Sequence, residues 1–288
     1  MRAVAVIVVA YGAPEQLAAA LAPIRGHFPI VVVDNSSSRD VREVCSGAGA
    51  TYLDPGSNLG FGAGVNVGLK HLGALQVADV DVLLLNPDAV VEPEVVLALQ
   101  AQLGGGGARV GVVAPSQRDS NDGHQQRVAW PFPSPERAWL EAVGLGRRLT
   151  AHPDFLIGSV LLLRAETIVA VGGFDERFFL YAEEADWQRR AAELGWRRLL
   201  CTDLDALHVG SGTSRNARRR EVLFHAGQET YVRKWFGAAG WQRYRAAVVI
   251  GALARAILAG GPARAAARSR LSIYLAGPRR QAGLAPRG

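Results

Sequence analysis

Three short apolar runs, Ala3–Ala10, Ile30–Val33 and Val82–Leu85, are each followed by a turn and then by residues with helical spacing. That alternation leaves few folds open. An apolar run of this length bounded by turn residues reads as a strand buried on both faces. Strands that alternate with helices and have no hairpin partner nearby build a doubly wound, mostly parallel sheet with helices on both faces. Pro87 ends the third strand, because proline has no N–H to continue the ladder. Asp34 and Asp88 therefore fall just past strand C-terminal ends, on the rim where open α/β sheets bind ligands. A carboxylate there suits a hard divalent cation, and through it a substrate phosphate. The plainer alternative is a local turn hydrogen bond.

The rest of the chain extends this frame. Leu17, Leu21 and Ile24 give a first helix over Glu15–Ile24, Val41–Cys45 a short second one, and Ala50–Leu53 a short strand. Glycines then fall at alternate positions in Asn58-Leu59-Gly60-Phe61-Gly62-Ala63-Gly64, which leads into a helix through Leu69 and Leu72. Such a turn before a helix favours phosphate, and it equally serves close helix–sheet packing. A dinucleotide fingerprint would follow the first strand, where Tyr11-Gly12-Ala13-Pro14 stands instead, and no Walker Lys-Ser/Thr pair is present. Nicotinamide enzymes and P-loop ATPases are disfavoured. Pro93–Leu103 reads as a helix, Val110–Ala114 as a strand, and polar Ser116–Pro135 as a long loop, either on the substrate side or simply a surface loop anchored by two aromatics. Phe155–Leu163 reads as one strand, with Gly158-Ser159 inside it allowing a close approach. Trp196–Cys201 is the last strand of the main domain, and His208 follows it with a glycine-rich sequel.

A cluster of acids opens the helix predicted for Glu183–Leu194, which Gly195 closes. Acids in the first turn and arginines later suit the helix dipole, and Asp186 can pair with Arg189 or Arg190. Neighbouring carboxylates also suit general-base work. On a helix Glu184 and Asp186 point about 200° apart, so one site can use only one of them as base.

Charge is divided unevenly along the 288 residues. From Gly212 to Gly288 there are 15 basic and 2 acidic side chains, net +13. Of the totals of 32 and 26, that leaves 17 basic and 24 acidic in Met1–Ser211, net −7. A basic tail suits an anionic membrane face, acidic substrates or nucleic acid, or is a set of solvated arginines. Ala246–Ala259 is apolar and precedes Arg264, Arg268 and Arg270, a pattern equally suited to lying on a membrane and to packing on the main domain. From Ala276 onward the composition reads as a frayed tail. Cys45 and Cys201 match no zinc or redox spacing and read as buried free thiols. With no signal-peptide layout and no apolar span of transmembrane length, the expected location is cytoplasmic.

In order along the chain, Val8-Val9-Ala10-Tyr11, Val33-Asp34-Asn35-Ser36, Asn58-Leu59-Gly60-Phe61-Gly62 with Asn66, Leu85-Asn86-Pro87-Asp88, Gly172-Gly173-Phe174-Asp175-Glu176, Glu183-Glu184-x-Asp186-Trp187 and His208 resemble one family. It is that of the inverting glycosyltransferases of family 2, in the branch of bacterial rhamnosyl- and galactofuranosyltransferases. The similarity covers roughly residues 3 to 236. It implies the GT-A fold over 1–211, with a nucleotide-sugar half (about 1–115) and an acceptor half (about 116–211), and a basic helical extension over 212–288.

The resemblance also implies roles. Tyr11, Asp34 and Asn35 would meet the donor's base and ribose. Gly60, Phe61, Gly62, Asn66 and Asn86 would line the nucleotide-sugar pocket. Asp88 resembles the last acid of the family's Asp-x-Asp motif, with His208 as second ligand to Mg²⁺ or Mn²⁺. Asn86 replaces the first acid. Glu184 stands where the family carries its base, with Asp186 as the alternative, and Gly158, Ser159 and Trp187 fall on the acceptor side. The implied reaction moves a sugar, with dTDP-rhamnose as leading donor, to an acceptor hydroxyl in cell-wall, polysaccharide or glycolipid assembly. A UDP-sugar transferase, such as a galactofuranosyltransferase, and a binding protein with impaired catalysis are the alternatives. The implied partners are a nucleotide-diphosphate sugar and a glycan or polyprenyl-linked acceptor, at the inner face of the cell membrane, and no nucleic acid is expected.

Overall fold

A computed structural model describes residues 2–105, 109–146, 153–208 and 216–284. The elements run β1 (Ala3–Ala10), α1 (Pro14–Leu21), β2 (Ile30–Asp34), α2 (Arg39–Ala48), β3 (Thr51–Leu53), α3 (Phe61–His71) and β4 (Val80–Leu85). Then come β5 (Ala89–Val90), α4 (Pro93–Gly105), β6 (Val110–Asp119), β7 (Gln125–Gln126), β8 (Ala129–Trp130), α5 (Pro135–Ala142), β9 (Phe155–Leu156) and β10 (Val160–Leu163). The last are α6 (Ala165–Val171), α7 (Glu183–Glu193), β11 (Arg197–His208), α8 (Ala217–Leu258), α9 (Gly261–Ala276) and α10 (Pro278–Gln281). They fall into two compact units: Met1–Trp130 with Asp154–Phe179 and Glu183–Arg215, and Pro131–Pro153 with Leu180–Ala182 and Asn216–Gly288.

The first unit is built on a sheet of order β3-β2-β1-β4-β10-β6-β11-β5, with β7 added to β6. Pairings β2–β3, β1–β2, β1–β4 and β6–β11 are parallel, while β10 runs antiparallel to both β4 and β6. Alternation along each strand sends Val6, Val8, Val32, Leu83 and Leu85 to one core and Ile7, Val82, Leu84, Val112 and Leu161 to the other. Burying each such side chain is worth roughly 1.5–3 kcal/mol, so the two-sided core fixes the strand register. Register pairs Cys201 with Pro115 and then Asp205 with Ser116, an irregularity that leaves Thr202, Asp203 and Leu204 without counterparts on β6.

Several elements differ from the sequence reading. Val110–Ala114 is only the first half of β6, which runs on to Asp119 and stays buried through Gln117. The Ser116–Pro135 segment is not a loop throughout, because its Asp119–His124 turn folds β7 back onto β6. Phe155–Leu163 is two strands in different sheets, since the Gly158-Ser159 turn breaks it between β9 and β10. The last strand of the unit continues past Cys201 to His208. The glycine-rich sequel to His208 and the expected boundary at 211/212 lie outside the described residues. Helix α7 ends where expected, with Gly195 at φ +82° and its N–H on Ala192 O.

The second unit contains the long α8, broken at Gly237 (φ 67°, ψ −169°), against which α9 and α10 pack. Part of the segment expected to fray from Ala276 onward instead forms α10, with Pro278 buried, while residues 285–288 lie outside the described residues. No helix among the described residues is long and apolar enough to cross a membrane. His225 of α8 is buried, with Nδ1 3.2 Å from the Tyr274 hydroxyl. Burial first, then the Arg270 and Arg218 charges, lowers its pKa from 6.5 to about 3. The unfolded chain thus takes up a proton that the folded unit refuses. His225 favours folding fully above about pH 6.5, and that contribution falls as pH drops toward 3, by roughly 5 kcal/mol at the limit. The His225→Gln variant is expected to unfold at lower pH than wild type when tryptophan fluorescence is followed during acidification. An unchanged midpoint would refute this.

Candidate active site

Tyr11 follows β1 at the sheet's C-terminal rim and is 57% exposed, leaving its ring available for stacking. Gly12, beside it, donates its N–H to Ser36 Oγ at 3.0 Å. Asp34 ends β2 fully buried. Its Oδ1 accepts from Ser36 N and Oγ, and its Oδ2 from Ser38 N and the Tyr52 hydroxyl. Four donors satisfy the carboxylate within its own turn and β3. Burial and then Asp34 raise the Tyr52 phenol above its ordinary pKa. Asn35 ties this corner to the glycine-rich turn, donating Nδ2 to Gly60 O at 3.0 Å.

Gly60 precedes α3 at φ 86°, ψ −178°, a region open essentially to glycine alone. A Cβ there would lie 2.0 Å from Phe179 O, whose carbonyl accepts the Phe61 N–H. A Cβ on Gly62 would come 3.2 Å from Phe174 Cβ, and on Gly64 and Gly68 within 3 Å of Val9 and Ile7. Gly64 and Gly68 therefore bring the helix against β1. Asn66 is buried, its Nδ2 donating to Phe174 O and Glu176 Oε1 and its Oδ1 accepting from Phe174 N. Its amide holds the Gly173–Glu176 turn against α3.

Beyond β4, the Asn86 carbonyl accepts from Ala89 N, closing a turn that carries Asp88, and Asn86 N donates to Ser159 O at 2.8 Å. Asp88 is 6% exposed, and its Oδ1 is buried with no hydrogen-bond partner. His208 Nε2, from the end of β11, stands 3.4 Å from that oxygen. Ser159 is buried and donates Oγ to Gln117 Oε1 at 2.7 Å. A Cβ on Gly158 would lie 3.5 Å from the Phe61 ring and 3.9 Å from Glu184 Cβ. The β9–β10 turn thus meets the Asn86–Asp88 corner through Ser159, and a side chain at position 158 would fill the space next to Phe61 and Glu184.

On α7, Glu184 is half-buried and Asp186 fully buried. Asp186 accepts from Arg190 Nε at 3.1 Å, and Arg190 also reaches Val171 O and Gly173 O. This carboxylate anchors the helix to the preceding turn. Trp187 is also fully buried, donating to Gly172 O at 2.8 Å and stacking on Phe174 at 5.7 Å between centroids.

No group of three or more His, Cys, Asp or Glu side chains suited to a metal ion occurs among the described residues. Asp88 and His208 nonetheless fit a shared cation. A buried carboxylate oxygen without a donor is costly, and one divalent ion meets both it and the imidazole nitrogen. An ion held by these two residues would keep its remaining positions for water and substrate phosphate, as is usual for Mg²⁺. Gln126 was not foreseen here, although its Nε2 and Oε1 both contact His208. The hairpin turn Asn121-Asp122-Gly123 was the local clue that its strand folds back on β6.

The known proteins most usefully compared are sugar transferases. The hexosyltransferase Agl10 of low-salt glycan biosynthesis in Haloferax volcanii is 28% identical over 211 residues, 70% of this chain and 66% of its own. An N-acetylglucosaminyl-diphospho-decaprenol L-rhamnosyltransferase of Mycobacterium tuberculosis is 30% identical over 215 residues, 66% of this chain and 68% of its own. The chain thus spans about two thirds of the length of these relatives. Among solved structures, Staphylococcus aureus TarS 1–349 superposes with TM-score 0.51 at 14% identity, covering 99% of this chain and 93% of that one. Glucosyl-3-phosphoglycerate synthase of M. tuberculosis, solved with Mn²⁺, UDP and phosphoglyceric acid, gives 0.54 at 16% identity over 80% and 77%. These likenesses carry the GT-A fold. With Glycosyl transferase family 2 matched over residues 5–166, more than half its length, the chain belongs to that family.

Proposed function

We propose that this protein is an inverting, metal-dependent glycosyltransferase that moves rhamnose from dTDP-rhamnose to an acceptor hydroxyl during glycan assembly. The observation that carries the reading is the buried, hydrogen-bond-free Asp88 Oδ1 facing His208 Nε2 across 3.4 Å at the sheet rim. A cation held there would offset the negative charge that develops on the leaving diphosphate. The open ring of Tyr11 suits the base, and the turn before α3 suits the phosphates.

Glu184 is the base in this reading. It is half-buried beside Gly158 and Phe61, whereas Asp186 is committed to Arg190. A Glu184 carboxylate oxygen takes the acceptor hydroxyl's proton as the hydroxyl oxygen bonds to the anomeric carbon. The bond from that carbon to the diphosphate oxygen breaks on the opposite face, and one displacement inverts the centre.

The rhamnosyl donor draws support from relatives named rhamnosyltransferases, among them WbbL of Escherichia coli, 24% identical over 76% of this chain and 88% of its own. The decaprenol in one relative's name supports a polyprenyl-linked acceptor. A membrane-side location suits the second unit. Ile250, Leu253, Ile257 and Leu258 are exposed at the spacing of one helix face, followed by exposed Arg264, Arg268 and Arg270. A UDP-sugar donor is the second reading, favoured by the UDP in the glucosyl-3-phosphoglycerate synthase structure.

A thermal-shift panel of nucleotide sugars with Mn²⁺ tests the donor, since a ligand of the native state raises its stability. dTDP-rhamnose is expected to give the largest shift. A larger response to UDP-sugars would move the assignment to the second reading, and one to GDP- or CMP-sugars would overturn both.

A further inference from the structure

In the β6–β7 hairpin Gln117 pairs with Gln126, and in β6–β11 Asp119 pairs with His208. Paired residues share a sheet face, so these four side chains rise on one side of the sheet. The Gln126 amide lies at the centre of the group. Its Nε2 donates to Asp119 Oδ2 at 3.2 Å and to the His208 backbone carbonyl at 3.0 Å. Both are acceptors, so the amide can be oriented only one way, with Oε1 toward His208 Nδ1 at 2.9 Å. An amide oxygen cannot donate. The hydrogen in that contact must therefore sit on Nδ1.

We infer that Gln126, itself oriented by Asp119, is a positioning residue that holds His208 as the Nδ1–H tautomer, so that Nε2 faces Asp88 as a coordinating atom. The inference rests on the proposed cation site and adds what makes that site usable. Without an acceptor at Nδ1, the imidazole can carry its hydrogen on Nε2 and donate it to Asp88 Oδ1, 3.4 Å away. That contact would satisfy the lone carboxylate oxygen and occupy both ligands at once. A role limited to holding β7 on the sheet would require only the two Nε2 bonds. The Oε1 contact is the part it leaves unexplained.

The test combines histidine ¹⁵N NMR of the metal-free full-length protein with Mn²⁺ titration followed by EPR in the presence of dTDP. Spectra are taken at about pH 8.5, well above the ordinary histidine pKa of ~6.5, with His208 assigned by comparison with His208→Asn. Wild type is expected to show His208 as the Nδ1–H tautomer. Gln126→Met keeps the length but lacks the acceptor. It is expected to shift His208 toward Nε2–H and to weaken Mn²⁺ at least ~10-fold, as loss of an outer-shell partner commonly does. Gln126→Glu, which retains an acceptor, should keep the Nδ1–H tautomer and guards against misfolding of the first variant. A Gln126→Met protein that keeps both the tautomer and wild-type Mn²⁺ affinity would overturn the inference. Wild type that binds no Mn²⁺ with dTDP would overturn the cation site itself, a separable result because the tautomer is read without metal.

Discussion

Glu184→Gln is expected to lower kcat by ~10²–10⁴-fold, the usual contribution of a positioned general base, while leaving donor KM within a few-fold. Glutamine preserves length and hydrogen-bonding reach and cannot accept the acceptor hydroxyl's proton. Because Glu184 is half-buried at the start of α7, the change should leave the fold intact, as a melting curve would show. Asp186→Asn is the control, since it tests the other carboxylate of the cluster. Its damage should fall on stability, because it leaves Arg190 in a partly buried site without its countercharge. Steady-state transfer with Mn²⁺ and a competent acceptor separates the two. If wild type and Glu184→Gln turn over equally slowly with bound donor, the chain binds nucleotide sugars without transferring them.

The second large effect is expected at Asp88. Asp88→Asn should remove the Mn²⁺-dependent part of the dTDP thermal shift and reduce kcat/KM by on the order of 10²-fold or more, since a neutral amide is a poorer ligand for a hard cation. Its effect on the metal-free protein should run the other way. Asp88 Oδ1 is buried without a hydrogen bond, and replacing a buried charge lacking full compensation commonly costs nothing or stabilises. Calorimetry in chelator should give the variant a Tm equal to or above that of wild type. A variant markedly less stable without metal would mean that Asp88 serves the turn rather than a ligand.

What could be read from the sequence was local. The β-branched runs, Pro87 after β4 and Gly195 after α7 report their own conformation through φ preference and missing donors, and each lies where expected. The antiparallel β10 between β4 and β6 could not be read this way, because its partners lie about 50 to 80 residues away and four buried leucine-type positions fit either direction. Two-residue strands such as β5, β7 and β9 are too short to show a period. The same limit applies to side chains. Asp88 and His208 were legible as acid and imidazole after strands, and the fold brings them together. The commitments of Asn66 to Phe174 and of Trp187 to Gly172 depend on contacts distant in sequence or on packing that no motif encodes.

The three residues of β11 without counterparts on β6 have a consequence that a count of strand positions makes plain. Continued without interruption from Cys201 opposite Pro115, the pairing would set Asp203 beside Gln117 and Asp205 beside Asp119, two like charges side by side. Three is an odd number, so the interruption exchanges the parity of everything after it. Ala206 joins Cys201 in the same core, Leu207 is turned outward, and His208 comes up beside Asp119. The imidazole faces Asp88 because a strand loses count by three.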